Sequence, residues 1–374
     1  MKVSRTNDRS VTIMGMGMDR SDFIATMTAA LNAESSAEAA FGGRLRAGRM
    51  KSRLLEAHPP ERSTEGCGAL LSSFAERAGL DLQPLDDDLW ALLGPEDVFF
   101  FDTANARFWQ LHSTAHAGTV ESLVKTRLIP DHRIDSAWMP AHLLREFEGT
   151  RTWIRSSFNS DRLVPADGDP ARRWRMQLEG DEPEELLALV RNNPRYASNA
   201  SLTAVGSTIV DGQRRAQLAT DFQGKVVSQG TSFELIAGVL WRTARRYEQY
   251  IGALEDRYRL TTNPCDSVGL QINGDVATLE LQRHILDLEL FLDGLFSCRA
   301  PFRLWAVPRE VASEQWEANA VDLHVGHPLR LEITPRWIRI MLDEHTCGNT
   351  LARLIANLQQ HFDARAELPV AVAA

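Results

Sequence analysis

Residues 321–362 read VDLHVGHPLRLEITPRWIRIMLDEHTCGNTLARLIANLQQHF, and this stretch decides the fold. Apolar and polar side chains alternate over residues 329–333 (LRLEI) and again over residues 338–342 (IRIML). This period of two is typical of half-buried strands. Residues 334–337 (TPRW) carry a proline at the second position, which favours a tight turn. The sequence therefore predicts a β-hairpin.

The turn also predicts the register of the hairpin. If Thr334 lies opposite Trp337, the apolar pairs share one face: Ile333 with Ile338, Leu331 with Ile340, and Leu329 with Leu342. The same register places Glu332 opposite Arg339 on the other face. A slip by one residue would lose both the apolar and the charged pairs, so this register is strongly favoured.

A helix is predicted directly after the hairpin. Asn349 or Thr350 can cap its first turn. The apolar residues that follow lie at helical spacing: Leu351, Leu354, Ile355, Leu358 and Phe362. We expect the hairpin and this helix to cover each other's apolar faces and to form a C-terminal core.

The ends of the hairpin contain the densest group of potential metal ligands and acid/base residues in the chain. The candidate metal ligands are Asp322, His324, His327, His345 and Cys347, near Asp343 and Glu344. In a second interpretation, Cys347 is a catalytic nucleophile before a helix N-terminus, with His324 or His345 as its base. The alternative is structural: a polar hairpin end with solvated histidines and a helix cap.

Composition and charge are those of an ordinary globular protein. The chain has 374 residues, 44% hydrophobic and 24% charged, which suffices for two or three domains. The net charge of −9 argues against a general electrostatic attraction to nucleic acid or an anionic membrane. The positive charge is almost all arginine, a bias more typical of genome composition than of a phosphate-binding function.

The chain carries no recognisable targeting or membrane segment. Its four cysteines are scattered without a CxxC pair, as expected in a reducing cytoplasm. The first residues contain no apolar run of the signal-peptide type, and no later segment is apolar for long enough to cross a bilayer. We therefore expect a cytoplasmic protein that does not bind membranes.

Arginines are concentrated in two predicted helices, over residues 36–57 and 231–258. These clusters are predicted to contact a protein partner or nucleic acid, although a solvated helical face is the more common role of such residues. The candidates are Arg44, Arg46, Arg49 and Arg53 in the first helix, and Arg242, Arg245 and Arg246 in the second.

The predicted fold class is α+β, with a helix-rich N-terminal part followed by one or two antiparallel-sheet units, each backed by a helix. Further helices are predicted at 64–79 and 84–93, strands at 97–101 and 106–112, and a hairpin about Asp211 and Gly212. The predicted domains are a helical extension (1–60), a mixed α/β domain (61–157), a linker (158–172), an α+β unit (173–262) and a C-terminal α+β unit (263–374).

Two segments of the chain have similar helix starts. Thr231 precedes Leu235, Ile236 and Ala237, and Thr350 precedes Leu354, Ile355 and Ala356 at the same spacing. Both helices follow a predicted set of three strands. This similarity indicates either an internal duplication or a chance match among common core residues. In a duplication, the two sheets could join into one pseudo-symmetric platform that favours binding over catalysis.

Known nucleotide-binding and hydrolase motifs are absent from the sequence: no P-loop, no GxGxxG after a strand, no GxSxG and no kinase motifs. The first hypothesis is therefore a non-catalytic intracellular subunit that binds a protein partner or its own copies in a larger assembly. A metal-dependent or Cys/His enzyme at the hairpin end and a nucleic-acid-associated protein are the alternatives. A divalent metal is the one cofactor that the residue pattern suggests.

Overall fold

The structure is a computed structural model. It describes residues 18–34, 40–159, 173–180, 182–193, 197, 199–265 and 269–368. Within these residues the chain forms eight α-helices and nineteen strands in antiparallel sheets, with helices packed alongside the sheets. The predicted α+β class is confirmed.

The helices and strands have the following bounds. The α-helices are α1 Arg20–Leu31, α2 Thr64–Ala78, α3 Ala117–Ser122, α4 Ala141–Arg145, α5 Pro183–Arg191, α6 Phe233–Tyr258, α7 Leu288–Leu295 and α8 Gly348–His361, with a 3₁₀ turn at Ala40–Gly43 and a π-helical turn at Leu123–Leu128. The strands are β1 Met50–Ala57, β2 Asp81–Asp86, β3 Leu89–Leu93, β4 Val98–Asp102, β5 Phe108–Ser113, β6 Ile134–Ser136, β7 Thr150–Asn159, β8 Arg173–Glu179, β9 Ala200–Asp211, β10 Arg214–Asp221, β11 Lys225–Gly230, β12 Thr261–Cys265, β13 Gly269–Asn273, β14 Ala277–Glu280, β15 Leu304–Ala306, β16 Arg309–Ala312, β17 Gln315–Asp322, β18 Pro328–Ile333 and β19 Trp337–Leu342.

An eleven-stranded sheet forms most of the structure up to residue 230. Its strands follow the order β2-β3-β4-β5-β1-β11-β10-β9-β7-β8, and β6 pairs with β1. Strand β1 is covered on both faces, because Leu54 belongs to the main apolar core and Leu55 to a second core beneath α2. The alternation of side chains along a strand then turns Glu56 toward the same side as Leu54.

The C-terminal hairpin lies in a separate six-stranded sheet, ordered β14-β19-β18-β17-β15 with β16 beside β17. The predicted register is confirmed at every position: Ile333 pairs with Ile338, Leu331 with Ile340, Leu329 with Leu342, and Glu332 with Arg339. The apolar side chains of β18 and β19 belong to the same core cluster as those of α8. The hairpin and the helix therefore share one core, whereas their direct packing against each other stays a prediction.

Helix α8 is buried along its whole length, since all of its residues from Gly348 to His361 are buried. It packs against α6, β7 and β9. In its centre, the fully buried Arg353 contacts Asp135 of β6 at 2.5 Å and Asp322 at the end of β17, and its Nε donates to the Phe302 carbonyl at 2.9 Å. One arginine of α8 therefore connects the two large sheets.

The second predicted hairpin is also confirmed, with its turn one residue later than expected. Asp211 pairs with Arg214, so Gly212 and Gln213 form the turn, and Gly212 adopts the positive φ of 59° that such a turn requires. Strand β11 and the long helix α6 follow as predicted. The two sets of three strands do not join, however, because β11 pairs with β1 and β19 pairs with β14.

Two predicted helices near the N-terminus are wrong. Over the described part of 36–57 the chain forms a 3₁₀ turn and then β1, whose charged Arg53 and Glu56 are buried in ion pairs. Because Arg53 and Glu56 are charged, the sequence of β1 lacks the continuous apolar run that is typical of a central strand. Residues 84–93 form the end of β2, a turn and β3, where the acidic run makes the turn instead of starting a helix.

The large sheet contains strands from both the 61–157 and the 173–262 segments, whereas the six-stranded sheet lies within 263–374. Most of the predicted linker lies outside the described residues, and the division into domains stays a prediction. None of the helices in the described part of the chain combines the length and apolarity needed to cross a membrane.

Removing the Arg353 charge should be strongly destabilising. In Arg353→Met, Asp135 and Asp322 lose their main buried counter-charge, so we expect the free energy of unfolding to fall by about 3–5 kcal/mol. Urea unfolding followed by circular dichroism measures this change. The control is Arg309→Met, which removes a 75% exposed side chain 3.2 Å from Glu317 and should cost less than about 1 kcal/mol. A loss within about 1 kcal/mol for Arg353→Met would contradict the role of this ion pair.

Candidate metal centre

The end of strand β1 contributes two residues to a buried polar cluster. Glu56 is the penultimate residue of the strand and is fully buried, and His58 follows the strand with its side chain 22% exposed. The backbone of this segment is held by its neighbours, because the His58 N–H donates to the Arg133 carbonyl at 2.8 Å. Pro59 and Pro60 then lead the chain away from the sheet.

The turn between β17 and β18 contributes His324, which is fully buried. Asp322 orders this turn, since its Oδ1 accepts a hydrogen bond from the His324 backbone N–H at 3.0 Å while the same carboxylate contacts Arg353. Val325 next to it has a φ of 61°, a left-handed conformation that is rare for a β-branched residue. Such strain, about 1–3 kcal/mol, persists only where the surrounding structure holds the backbone, and it clusters at functional sites.

The start of helix α8 contributes Cys347. This residue is the N-cap, and its Sγ accepts a hydrogen bond from the Asn349 N–H at 3.3 Å. The next residue must be small, because a Cβ on Gly348 would lie 2.8 Å from Cγ of Glu255 and 2.9 Å from the Ile251 carbonyl oxygen. Helices α6 and α8 therefore approach closely at the point where Cys347 enters the cluster.

We call Glu56, His58, His324 and Cys347 the four-residue cluster. One donor atom from each lies within 4.8 Å of the donor atoms of the others. Glu56 is central: its carboxylate oxygens lie 3.6 Å from His58 Nε2, 3.5 Å from His324 Nε2 and 3.2 Å from Cys347 Sγ. Ligand atoms around a tetrahedral zinc ion, bound at about 2.0–2.3 Å, are separated by about 3.3–3.8 Å. The three separations from the Glu56 carboxylate are within a few tenths of an ångström of these values.

The histidines of the cluster have nitrogen atoms without hydrogen bonds. Neither ring nitrogen of His324 nor Nε2 of His58 makes a hydrogen bond, although all three atoms are buried, because the two Nε2 atoms lie 3.5 and 3.6 Å from the Glu56 carboxylate. A buried polar atom without a partner costs about 1–3 kcal/mol, so natural structures rarely contain one. Binding of a metal ion would supply the missing partner to one nitrogen of each ring.

Arg107 offsets part of the negative charge around the cluster. Its guanidinium lies 2.6 Å from Glu56 Oε1, 2.5 Å from Glu255 Oε1 and 3.4 Å from Cys347 Sγ. Burial alone would raise the pKa of Glu56, but the charge of Arg107 together with the nearby His324 and His58 outweighs burial and holds this pKa well below its ordinary value. For Cys347, burial and the nearby Glu56 carboxylate raise the pKa well above its ordinary value. The thiol is therefore protonated unless a metal ion replaces its proton.

Only part of the predicted site converges. The structure brings Cys347 and His324 together, but Asp322 is occupied by Arg353 and Thr350. His345 is exposed and His327 is half-buried, and their rings lie 6.2 Å apart, centroid to centroid, outside the four-residue cluster. The catalytic role predicted for Cys347, His324 and His345 stays a prediction.

Sequence reasoning missed Glu56 and His58. They lie on a segment that was predicted to be helical, and Glu56 is 291 residues from Cys347 in the chain. The available signal was the Glu-Ala-His sequence before two prolines, which is the end of a strand with two possible ligands on one side of it. That signal is only three residues long, and it points to a site only once residues 50–57 are known to form a strand of the sheet.

The N-terminal arginines predicted to bind a partner are engaged within the fold. Each guanidinium donates to a nearby group, and Arg53 is also almost fully buried. The contacts are those of Arg44 with the Gly94 carbonyl, Arg46 with Asp97, Arg49 with Gln229, and Arg53 with Glu121.

The arginines of α6 are exposed, but two of the three also have partners within the chain. Arg242 forms an ion pair with Glu148 at 2.8 Å, and Arg246 donates to the Glu146 carbonyl at 2.6 Å. Arg245 lies over the ring of Trp241 at 5.6 Å from its centroid, and Trp241 is 52% exposed. The outward-facing part of this surface is therefore Trp241 with Arg245.

Comparison with known proteins identifies a family. The model of the MJECL33-like protein family matches residues 52–373, a range that includes all of the four-residue cluster. An uncharacterized protein of Methanocaldococcus jannaschii, MJECL33, is 26% identical to this chain over 334 residues, covering 77% of this chain and 80% of the relative. Since the family match covers most of the chain, the protein belongs to the MJECL33-like family.

The close approach of α6 and α8 can be tested with two glycines. In Gly348→Ala the new Cβ would overlap Glu255 and the Ile251 carbonyl, so we expect a loss of about 1–3 kcal/mol in the free energy of unfolding, measured by urea denaturation. The matched control is Gly252→Ala on α6, where nothing lies within 4 Å of the new Cβ. That change should stabilise the helix by about 0.5–1 kcal/mol. Equal effects of the two substitutions would argue against the packing described here.

Proposed function

We propose that this member of the MJECL33-like family is a non-catalytic binding protein whose fold is completed by one zinc ion. The four-residue cluster, Glu56, His58, His324 and Cys347, would hold the ion. The observation that carries this proposal is the convergence of four donor atoms within 4.8 Å of one another, together with buried nitrogens of the two histidines that make no hydrogen bond.

The donor set favours zinc over other common metals. A thiolate and two imidazoles are ligands of zinc and of its substitute cobalt, whereas magnesium and calcium take oxygen ligands. The charge balance also fits, because the thiolate and the Glu56 carboxylate together neutralise a divalent ion while Glu255 neutralises Arg107. The buried centre then carries no net charge of its own, which avoids the cost of an uncompensated buried charge.

The ligand count supports a structural role for the ion. Structural zinc sites use four protein ligands, whereas catalytic sites keep one position for water or substrate. Three of the four side chains are buried, with Glu56 and His324 at 0% exposure and Cys347 at 2%. A zinc ion here would fasten β1, the β17–β18 turn and α8 together and would not need to contact a substrate.

A metal-dependent enzyme is the second candidate, and one observation favours it. His58 is 22% exposed, and Glu56 already pairs with Arg107. If Glu56 keeps that ion pair, three protein ligands remain and a water molecule could occupy the fourth position. Glu56 would then lie beside this water as a general base.

The binding function itself would use the outer face of α6. Tryptophan and arginine are the residue types that contribute most to protein–protein interfaces, and Trp241 with Arg245 presents both on one exposed surface. A protein partner fits this surface better than nucleic acid does, because the protein is acidic overall and its neighbouring arginines are already paired. The buried thiols of Cys67 and Cys347 fit a reducing compartment such as the cytoplasm.

Metal analysis of the purified protein tests the zinc proposal. We expect about one zinc ion per chain by native mass spectrometry, and loss of that ion in Cys347→Ser and in His324→Ala. His327→Ala and His345→Ala are the matched controls, since both histidines lie outside the four-residue cluster, and they should retain the metal. Absence of stoichiometric metal from folded protein, or equal loss in the controls, would overturn the proposal.

Cobalt substitution distinguishes the structural from the catalytic role. In the cobalt protein we expect the intense visible absorption of a tetrahedral site and a thiolate charge-transfer band, both unchanged when azide is added. A spectral shift with azide would reveal an open coordination position and would favour the enzyme instead.

The partner surface is tested separately by native mass spectrometry of the tagged protein purified from its own cells. We expect a stoichiometric protein partner, which is lost in the double variant Trp241→Ala with Arg245→Glu. The control Arg214→Glu removes an exposed arginine on β10 and should retain the partner. A chain that is always recovered alone, or a partner that survives the double variant, would contradict this surface as the binding site.

A further inference from the structure

A cavity lies on the side of the molecule formed by α4, α5 and β9. It has a volume of about 240 Å³. Leu187 and Ala188 of α5 and Leu202 of β9 form its apolar walls, and its polar lining consists of Arg145, Arg191, Asn192 and Glu184. None of these residues belongs to the four-residue cluster, so this cavity is separate from the metal centre.

Arg191 at the end of α5 lacks a carboxylate partner. Its Nε and Nη2 both donate to the Ala200 carbonyl, at 3.0 and 2.9 Å, and this contact connects α5 to the start of β9. Among the described residues no aspartate or glutamate forms an ion pair with it. Burial lowers the pKa of Arg191 to about 10; repulsion by Arg145 and Arg365 acts in the same direction, and attraction by Glu367 and Glu184 opposes it. The remaining donors of this guanidinium are therefore available to an anion.

The surroundings of the cavity are positively charged. Arg365 approaches from the segment after α8, where its Nη2 donates to the Arg191 carbonyl at 3.4 Å. Two glutamates are nearby but only partly compensate: Glu184 pairs with Arg151 at 3.3 Å, and Glu367 lies 3.8 Å from Arg145. Two arginines thus line the cavity with Arg365 close by, and the lining carboxylate of Glu184 is already paired with Arg151.

We infer that this cavity binds a small organic anion with a phosphate or carboxylate group. Guanidinium groups bind such groups through paired, charge-assisted hydrogen bonds, and an anion would relieve the repulsion among the three arginines. The apolar wall of Leu187, Ala188 and Leu202 would contact a short carbon skeleton. The volume of about 240 Å³ is somewhat below that of pockets for drug-sized ligands and suits a metabolite of a few carbon atoms. This inference does not depend on the zinc proposal.

Isothermal titration calorimetry of the full-length protein at constant ionic strength tests the inference. The probes are inorganic phosphate, glycerol phosphate and succinate, with glycerol as the neutral control. We expect saturable binding of at least one anion and none of glycerol. In Ala188→Leu the new side chain fills the cavity from an exposed helix position, and in Arg145→Met one charge is lost. Each change should weaken binding at least tenfold, and neither alters the contact between Arg191 and Ala200.

Arg214→Met is the matched control, since it removes an exposed arginine that pairs with Asp211 and Glu234 on another part of the surface. This control should bind as the wild type does. Thermal unfolding of each variant checks that it is folded. Binding of glycerol phosphate without succinate identifies a phosphate ligand, and the reverse identifies a carboxylate. No saturable binding of any of the three anions, or equal binding by the two cavity variants and the control, overturns the inference.

Discussion

The ion pairs of Arg353 with Asp135 and Asp322 are the interaction on which the rest of the structure depends. Moving a charged group out of water costs several kcal/mol per ion, and only good geometry with several partners offsets this cost. Arg353 meets the condition with two carboxylates and the Phe302 carbonyl. Since these partners come from both large sheets and from a loop, the arginine is satisfied only when all three are in place.

This constraint also fixes the positions of His324 and Cys347 in the four-residue cluster. Asp322 bonds both Arg353 and the backbone of His324, so the ion pair and the histidine turn are ordered together. Cys347 lies at the N-terminus of the helix that carries Arg353. A shift of α8 by one residue would move the thiol by about 1.5 Å along the axis and rotate it by about 100°. A metal ion that binds the four converged ligands would bind only the folded chain and would stabilise it by that affinity.

Several of the arginines form buried ion pairs that hold distant parts of the fold together. Arg53, Arg107 and Arg353 are buried or nearly so, and each bonds carboxylates from distant parts of the chain. A planar guanidinium with five donors can satisfy several acceptors at once, which a lysine ammonium cannot do with the same geometry. Arg191 differs from these three, because it lines a cavity and lacks a carboxylate. Arginine therefore forms buried ion pairs at three positions, whereas the fourth arginine, Arg191, lines a candidate ligand site.

The sequence by itself determined the α+β class, both antiparallel hairpins, the register of the C-terminal one and the long helix α6, because these depend on side-chain period and turn chemistry within a few residues. Only the tertiary structure decided that residues 50–57 form a central strand, since buried ion pairs made Arg53 and Glu56 look like surface residues. The residues of the candidate site also fall into two groups, those predicted from the sequence and those placed only by the tertiary structure. Cys347 and His324 stood out at the ends of one local hairpin, whereas Glu56 and His58 joined them through sheet pairing and helix packing across almost the whole chain, contacts that no local pattern encodes.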